Sequence, residues 1–423
     1  MLTSFSRYRG QLSFVLFVIL IGASFFWVNN LKQESRATWL DRLGARPMAY
    51  RYSDFRIVLA AVEYSRTGAD VWTSCPPCGA AAGFTYDLPF NYPRSIVWLG
   101  HLTPKHWTTD DAEWIGPLID AAFLVTAAAV LLSPNFWQIV CSLIILISPP
   151  VLEGLERGNY DLVIFCLVAL NLRFINRWSN GSGYVMAYVS GLLKIYPIVT
   201  VIGLIQRTKN SLLWFWATVA AEIAFIFLSL RELRAITKNT PQAAYGAYGY
   251  PTAFLFLRYH FNHSALALRA PSAAFPFLCL FCVLLIFFSW RYREQLLALL
   301  FTGWSIERSF FLAGAAVYSA SFTMGANFNY RLIFLLFTLP HLFAMLREGD
   351  AGQRRMARLI LSMMLAAFWL PWWYANPLTV ALDSGLTWLL FSFFAASCLA
   401  ALYSLFGKGA GWREAAPMFD SLG

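Results

Sequence analysis

The side chains best suited to chemistry in this 423-residue chain are four charged groups, far apart in sequence and each next to an apolar run. Asp54 follows Tyr50-Arg51-Tyr52-Ser53, and a carboxylate beside an apolar cavity can take a proton as a general base. Its plainer reading is an N-cap on the helix that starts here, a role Ser53 would fill equally. Arg157 opens Arg157-Gly158-Asn159-Tyr160-Asp161, just after Glu153 and Glu156. The plainer reading there is an Arg157–Asp161 pair on a solvated turn. Lys194 interrupts an apolar run at Gly191-Leu192-Leu193-Lys194-Ile195-Tyr196-Pro197, and Arg331 closes Asn327-Phe328-Asn329-Tyr330-Arg331. Ionisable groups in membrane-spanning runs are costly, so a function is their first explanation. If Lys194, Arg157 and Arg331 converge, three cations at one level suit a phosphate or diphosphate better than a carboxylate.

The elements that must position these groups are membrane helices. The chain is 59% hydrophobic and 13% charged, against roughly 45–50% and about 25% for a soluble domain. That excludes a soluble enzyme, a disordered chain and a fibre. Apolar windows long enough to cross a bilayer lie near 11–29, 114–132, 135–152, 160–176, 184–206, 211–230, 273–290, 295–325, 330–346, 357–375 and 385–406. The expected class is an all-α polytopic membrane protein, a single domain over 1–423. Residues 30–113 and 231–272 form the two long loops. Lys194 and Pro197 predict that 184–206 is two half-helices, tolerable only beside a protein-buried or wet cavity; the rival is a doubled 295–325. With 184–206 doubled, most of the net charge of +10 falls on short loops. The positive-inside rule then puts the N-terminus, read as a retained signal anchor, in the cytoplasm and both long loops outside.

In the first outer loop, Phe55, Val58, Leu59 and Val62 recur at helical spacing. Thr67-Gly68-Ala69-Asp70 ends that helix, and an aromatic strap follows over Tyr86–Pro93. The stretch Tyr245-Gly246-Ala247-Tyr248-Gly249-Tyr250-Pro251 reads as an aromatic loop covering the site. Cys75 and Cys78 have CxxC spacing without a βαβ context, which favours a structural disulfide clip over redox work. The other five cysteines read as packing residues. Thr108 or Thr109 with Asp110, Asp111 and Glu113 reads as the start of the next span rather than a cation site. The five histidines show no metal-ligand spacing; His260 and His263 lie where they can touch a phosphate. Asp120 and Glu222, inside spans, are expected to be hydrogen-bond partners between helices. No P-loop, dinucleotide fingerprint or long repeat is present.

Four features in order, Asp54-Phe55 with the Gly68 turn, Phe90-Asn91-Tyr92-Pro93, Arg157-Gly158-Asn159-Tyr160-Asp161 and Gly191–Pro197, resemble glycosyltransferase family 87 over residues 10–345. That family belongs to the GT-C superfamily of polytopic, polyprenyl-phosphate-sugar-dependent, mannosyltransferase-like enzymes. The resemblance implies a GT-C-like fold of about 11–12 transmembrane helices whose large first outer loop bears an amphipathic helix. It implies Asp54 as catalytic base, transfer with inversion, and no metal or other cofactor. Lys194, Arg157 and Arg331 would hold the donor phosphate. Tyr92, Asn159, Asp161, Tyr196, Asn329, Tyr330 and His260 would contact substrate. The implied partners are a polyprenyl-phosphate sugar, a lipid or glycan acceptor and membrane lipids, with no nucleic acid. The implied setting is a monomer in a bacterial plasma membrane. One departure is that 310–331 lacks the Pro/Trp/His-rich segment the family pattern leads one to expect, which leaves the donor open between a mannose-like hexose and a pentose. From the residues alone, a transporter or lipid flippase also uses broken helices and buried cations, although no inverted repeat is visible. A non-catalytic assembly subunit is the third reading.

Overall fold

In lipid, each backbone polar group must find its partner within a helix or a closed sheet. The computed structural model follows that constraint. It describes residues 2–133, 135–175, 180–205, 209–240, 246–261, 265–300, 305–373 and 376–406, so Tyr245 and His263 lie outside the described residues. The chain is 81% helical, which makes the class nearly all-α. The one sheet among the described residues pairs Ala247–Tyr248 antiparallel with Asn327–Phe328.

Among the described residues, five helices are long and apolar enough to cross a membrane: Thr109–Leu131, Lys209–Leu228, Leu268–Arg291, Asn329–Glu348 and Pro377–Ser404. A sixth candidate is the pair Phe136–Leu146 and Pro149–Arg157, bent by 52° where Pro149 cannot continue the preceding helix. Large apolar side chains such as Phe275, Leu280, Val283 and Phe287 face outward, as a lipid-facing surface requires. Other expected windows are shorter or broken. The 160–176 window is Tyr160–Leu170 followed by a π turn, Asn171–Ile175. The 184–206 window is Asn180–Leu193 followed by a 3-10 helix, Tyr196–Leu204, so the break falls at Lys194-Ile195 as the sequence predicts. The 295–325 window divides as well, into Arg293–Leu300 and Ile306–Met324.

Helix Ile306–Met324 lies at the centre, packed on Tyr196–Leu204, on the 3-10 stretch Asn329–Thr338 and on Pro377–Phe406. Glycines allow the backbones to come this close. A Cβ at Gly203 would come within 2.5 Å of the Ser309 carbonyl oxygen, and one at Gly314 within 2.7 Å of that of Phe334. Because both 3-10 stretches dock on this one helix, their first turns, with Tyr196 and Arg331, stand side by side.

The first long loop is folded. Helix Ser53–Ser65 packs on Pro76–Ala82 and Arg94–His101. Cys75 and Cys78 form the expected disulfide, both fully buried. Asp87 accepts from Ser74 Oγ at 2.6 Å and from the Cys75 N–H at 2.7 Å. Thr108 and Asp111 make the capping box that starts the next span. The N-cap of helix Ser53–Ser65 departs from expectation. It is Tyr52, in the left-handed region at φ 55°, rather than Ser53 or Asp54. A side chain at positive φ is strained, and here packing holds it. The buried Tyr52 ring sits where a Cβ on Gly116 would be, and 2.9 Å from the Cβ position of Gly158.

Gly116→Ala should therefore displace Tyr52 and cost roughly 1–3 kcal/mol, lowering the melting temperature in detergent by several degrees. Gly385→Ala, with nothing within 4 Å of its Cβ position, should leave it unchanged or raise it. Fluorescence-detected gel filtration after heating checks the order; the reverse order would remove the Tyr52 slot as a structural constraint.

Candidate functional site

The site is built around the corner Arg157-Gly158-Asn159. Pro149 and Pro150 occupy the first turn of helix Pro149–Arg157, where their fixed φ and missing N–H cost nothing. Gly158 ends the helix in the left-handed conformation, φ 56°, and the Asn159 N–H returns to the Gly154 carbonyl at 3.1 Å. Asn159 Oδ1 accepts the Asp161 N–H at 2.9 Å and so caps the next helix, Tyr160–Leu170. Every residue of 149–157 is buried, so this is no solvated turn. Nor does Arg157 pair with Asp161. It reaches back one turn to Glu153 at 2.6 Å, with its guanidinium 5.1 Å over Phe328 and 5.7 Å over Tyr330. Glu156 faces Arg36 at 3.7 Å and accepts the Met48 N–H at 3.2 Å. Its carbonyl accepts the Tyr52 N–H at 2.9 Å, which ties the first long loop to the corner.

Asp161 is fully buried and is the hub. Its Oδ1 accepts from Lys194 Nζ and from the Tyr196 hydroxyl, and its Oδ2 lies 3.3 Å from Arg331 Nε. Arg331 also donates to Asn327 Oδ1 and stacks 5.2 Å over Tyr196. Lys194 Nζ lies 5.0 Å from the centre of the Tyr92 ring and 3.5 Å from Asn159 Oδ1. Asn159 Nδ2 donates to Asp54 Oδ2 at 2.5 Å. Asp54, Asn159, Lys194, Asp161 and Arg331 are thus one connected series. Lys194 and Arg331 share the Asp161 carboxylate directly, the second carboxylate, Asp54, stands one amide away, and Arg157 is balanced by Glu153. Of the series, Asp54 and Arg331 are the partly exposed members; the others are buried. The Tyr92 phenol is pushed well above its ordinary pKa by burial and then by the Asp54 carboxylate, so it stays protonated and able to donate.

The expected residues thus divide. Asp54, Lys194 and Arg331 belong to the series, with the Tyr92 and Tyr196 rings against Lys194, while Arg157 is engaged with Glu153, Phe328 and Tyr330 instead. Asn159 and Asp161 are present too, with their side chains engaged by Asp54, Lys194, Tyr196 and Arg331. Tyr330 stacks on Phe328 at 5.8 Å beneath Arg157, and the buried Asn329 donates its N–H to the Gly246 carbonyl at 3.2 Å. The aromatic loop does cover this region: Tyr248 stacks on Tyr318 at 5.2 Å, and its hydroxyl meets Ser321 Oγ at 2.6 Å. His260, exposed and stacked on Phe256, ends a helix, Thr252–His260, that packs on Ala265–Arg291 and Pro377–Phe406.

Sequence reading missed Tyr52, Glu153 and Asn327. Glu153 stands four residues before Arg157 on one helix, the spacing that would have found it; Asn327 is the same distance before Arg331 but lies in a strand, where that spacing signals nothing. Nothing in the sequence marks the Tyr52 slot. The expectation that Asp120 binds another helix is corrected: it meets the Tyr52 phenol of the loop. Glu222 is buried against Gly191, its Oε2 3.0 Å from that residue's Cβ position. Among the described residues, no group of three or more His, Cys, Asp or Glu side chains is placed to hold a metal ion. The chain matches no protein-family model and no curated protein sequence.

Removing the hub carboxylate leaves the buried Lys194 and the partly exposed Arg331 facing each other. Asp161→Asn should cost about 3–5 kcal/mol and sharply reduce the monodisperse yield in detergent, and adding Lys194→Gln should recover part of the loss. A single variant as stable as the parent, by the same thermal assay, would show that Asp161 does not hold the cluster.

Proposed function

We propose that this chain is a membrane glycosyltransferase of the GT-C type. It moves a mannose-like hexose or a pentose from a polyprenyl-phosphate donor to a lipid or glycan acceptor on the outer face of a bacterial plasma membrane. The observation that carries this reading is the link from a partly exposed carboxylate, Asp54, through Asn159 to two cations, Lys194 and Arg331, that share the buried Asp161. A base and an anion seat at that spacing are what sugar transfer from a lipid phosphate needs, and the four features in the sequence that resemble family 87 point the same way.

In this reading Asp54 Oδ1 takes the proton of the acceptor hydroxyl. The acceptor oxygen bonds to the anomeric carbon as the bond from that carbon to the phosphate oxygen breaks on the opposite face, which inverts the centre. The lipid phosphate leaves with the bonding electron pair. Its charge settles against Arg331 and Lys194, oriented in advance by Asp161, so little reorganisation is needed as charge develops. Asp54 then gives its proton to water. Burial of the cluster excludes water from the anomeric carbon and strengthens each of these interactions. The outward apolar surfaces suit a donor with a long prenyl tail.

Asp54→Asn is close to isosteric and should abolish transfer of labelled sugar from polyprenyl-phosphate donors, by about a hundredfold or more, with folding and insertion unchanged. Full activity in that variant would remove Asp54 as the base. Movement of a lipid-linked sugar across proteoliposomes with no consumption of donor would replace the transferase with the transporter reading.

A further inference from the structure

Asn159 looks at first like an ordinary helix cap, but its amide has only one orientation open to it. The carbonyl Oδ1 must accept the Asp161 N–H at 2.9 Å, with Lys194 Nζ on the same oxygen at 3.5 Å. A nitrogen there would meet only donors. The amide Nδ2 is therefore turned toward Asp54 Oδ2, 2.5 Å away, and Asp54 Oδ1 is left as the oxygen for a substrate. The residue is fully buried, and its backbone is held by the Gly158 turn on one side and helix Tyr160–Leu170 on the other.

We propose that Asn159 is the positioning residue of this site. Its side chain aims the Asp54 carboxylate and fixes its distance from the Lys194–Asp161–Arg331 cluster, because one short amide spans the two. The inference rests on the reading of Asp54 as the base. The charged and titratable groups facing Asp54 are Glu153, Glu156 and Arg157 on the preceding helix, Lys194, Tyr92 and Tyr330. None of them has its hydrogen-bonding capacity dictated from behind in the same way.

Two substitutions separate positioning from capping. Aspartate caps a helix as well as asparagine does, so a residue that only caps would tolerate Asn159→Asp. If Asn159 also aims Asp54, this change replaces a donor with a second carboxylate, and like charges at this range make the pair harder to ionise. Asn159→Ser keeps a neutral cap and withdraws the donor.

The full-length protein in lipid nanodiscs is labelled with a carbodiimide, which attacks protonated carboxyls, plus an amine nucleophile. The extent at Asp54 is read by mass spectrometry across pH. Asn159→Asp should move the Asp54 midpoint up by about one pH unit or more, and Asn159→Ser should move it the same way by less. Identical midpoints in folded variants would overturn the proposal. If Asn159→Asp does not fold, the serine variant decides by the same comparison. Turnover is a separate arm: the acid limb of kcat/KM should move with the labelling midpoint, and kcat for Asn159→Ser should fall roughly ten- to a hundredfold. Shifted midpoints with no transfer from any lipid-phosphate sugar would leave the positioning role standing and remove the transferase reading.

Discussion

The structure depends most on the cost of placing charge where water is scarce. Asp161, Lys194, Arg157, Glu153 and Glu156 are all buried among apolar helices, and isolated ions there would be prohibitive. Each is therefore matched: Asp161 by Lys194 and Arg331, Arg157 by Glu153, Glu156 by Arg36. These pairings join segments that are distant in sequence. A one-turn shift in any of them would strand a charge, so the same electrostatics that organise the site also select the packing of the helices.

The second constraint is steric and serves the first. Helix Ile306–Met324 brings the two 3-10 stretches alongside through small-residue contacts at Gly203 and Gly314. Gly116 and Gly158 make the slot that holds Tyr52 at positive φ. Asp54 is two residues beyond that locked tyrosine, so its approach to Asn159 is set by backbone geometry rather than by a free side-chain rotamer. Strain at such a position is tolerated because the surrounding contacts over-determine it.

Charge balance also refines the idea of three cations gathered for an anion. Arg157 is neutralised one turn away and lies over two rings, so it shapes the wall more than it offers charge. Lys194 and Arg331 are the cations that share a single directly bonded carboxylate, and only Arg331 of the two is partly exposed. A ligand would meet that cation first, with the lysine behind it.

The sequence by itself determined the class, the break at Lys194 and the identity of most of the cluster. Composition and window length report burial directly, and a lysine and a proline inside an apolar run interrupt a helix whatever surrounds it. It also determined the clip at Cys75–Cys78 and the capping box at Thr108, because both are short-range. Tertiary structure alone decided who pairs with whom. Arg157 took Glu153, Asp161 took two cations from elsewhere in the chain, and Asp54 turned from its own helix end to Asn159. Local spacing says what a residue can reach along its own helix. In a buried site, the low dielectric lets distant partners outbid near ones, and only the folded chain shows which distant partners arrive.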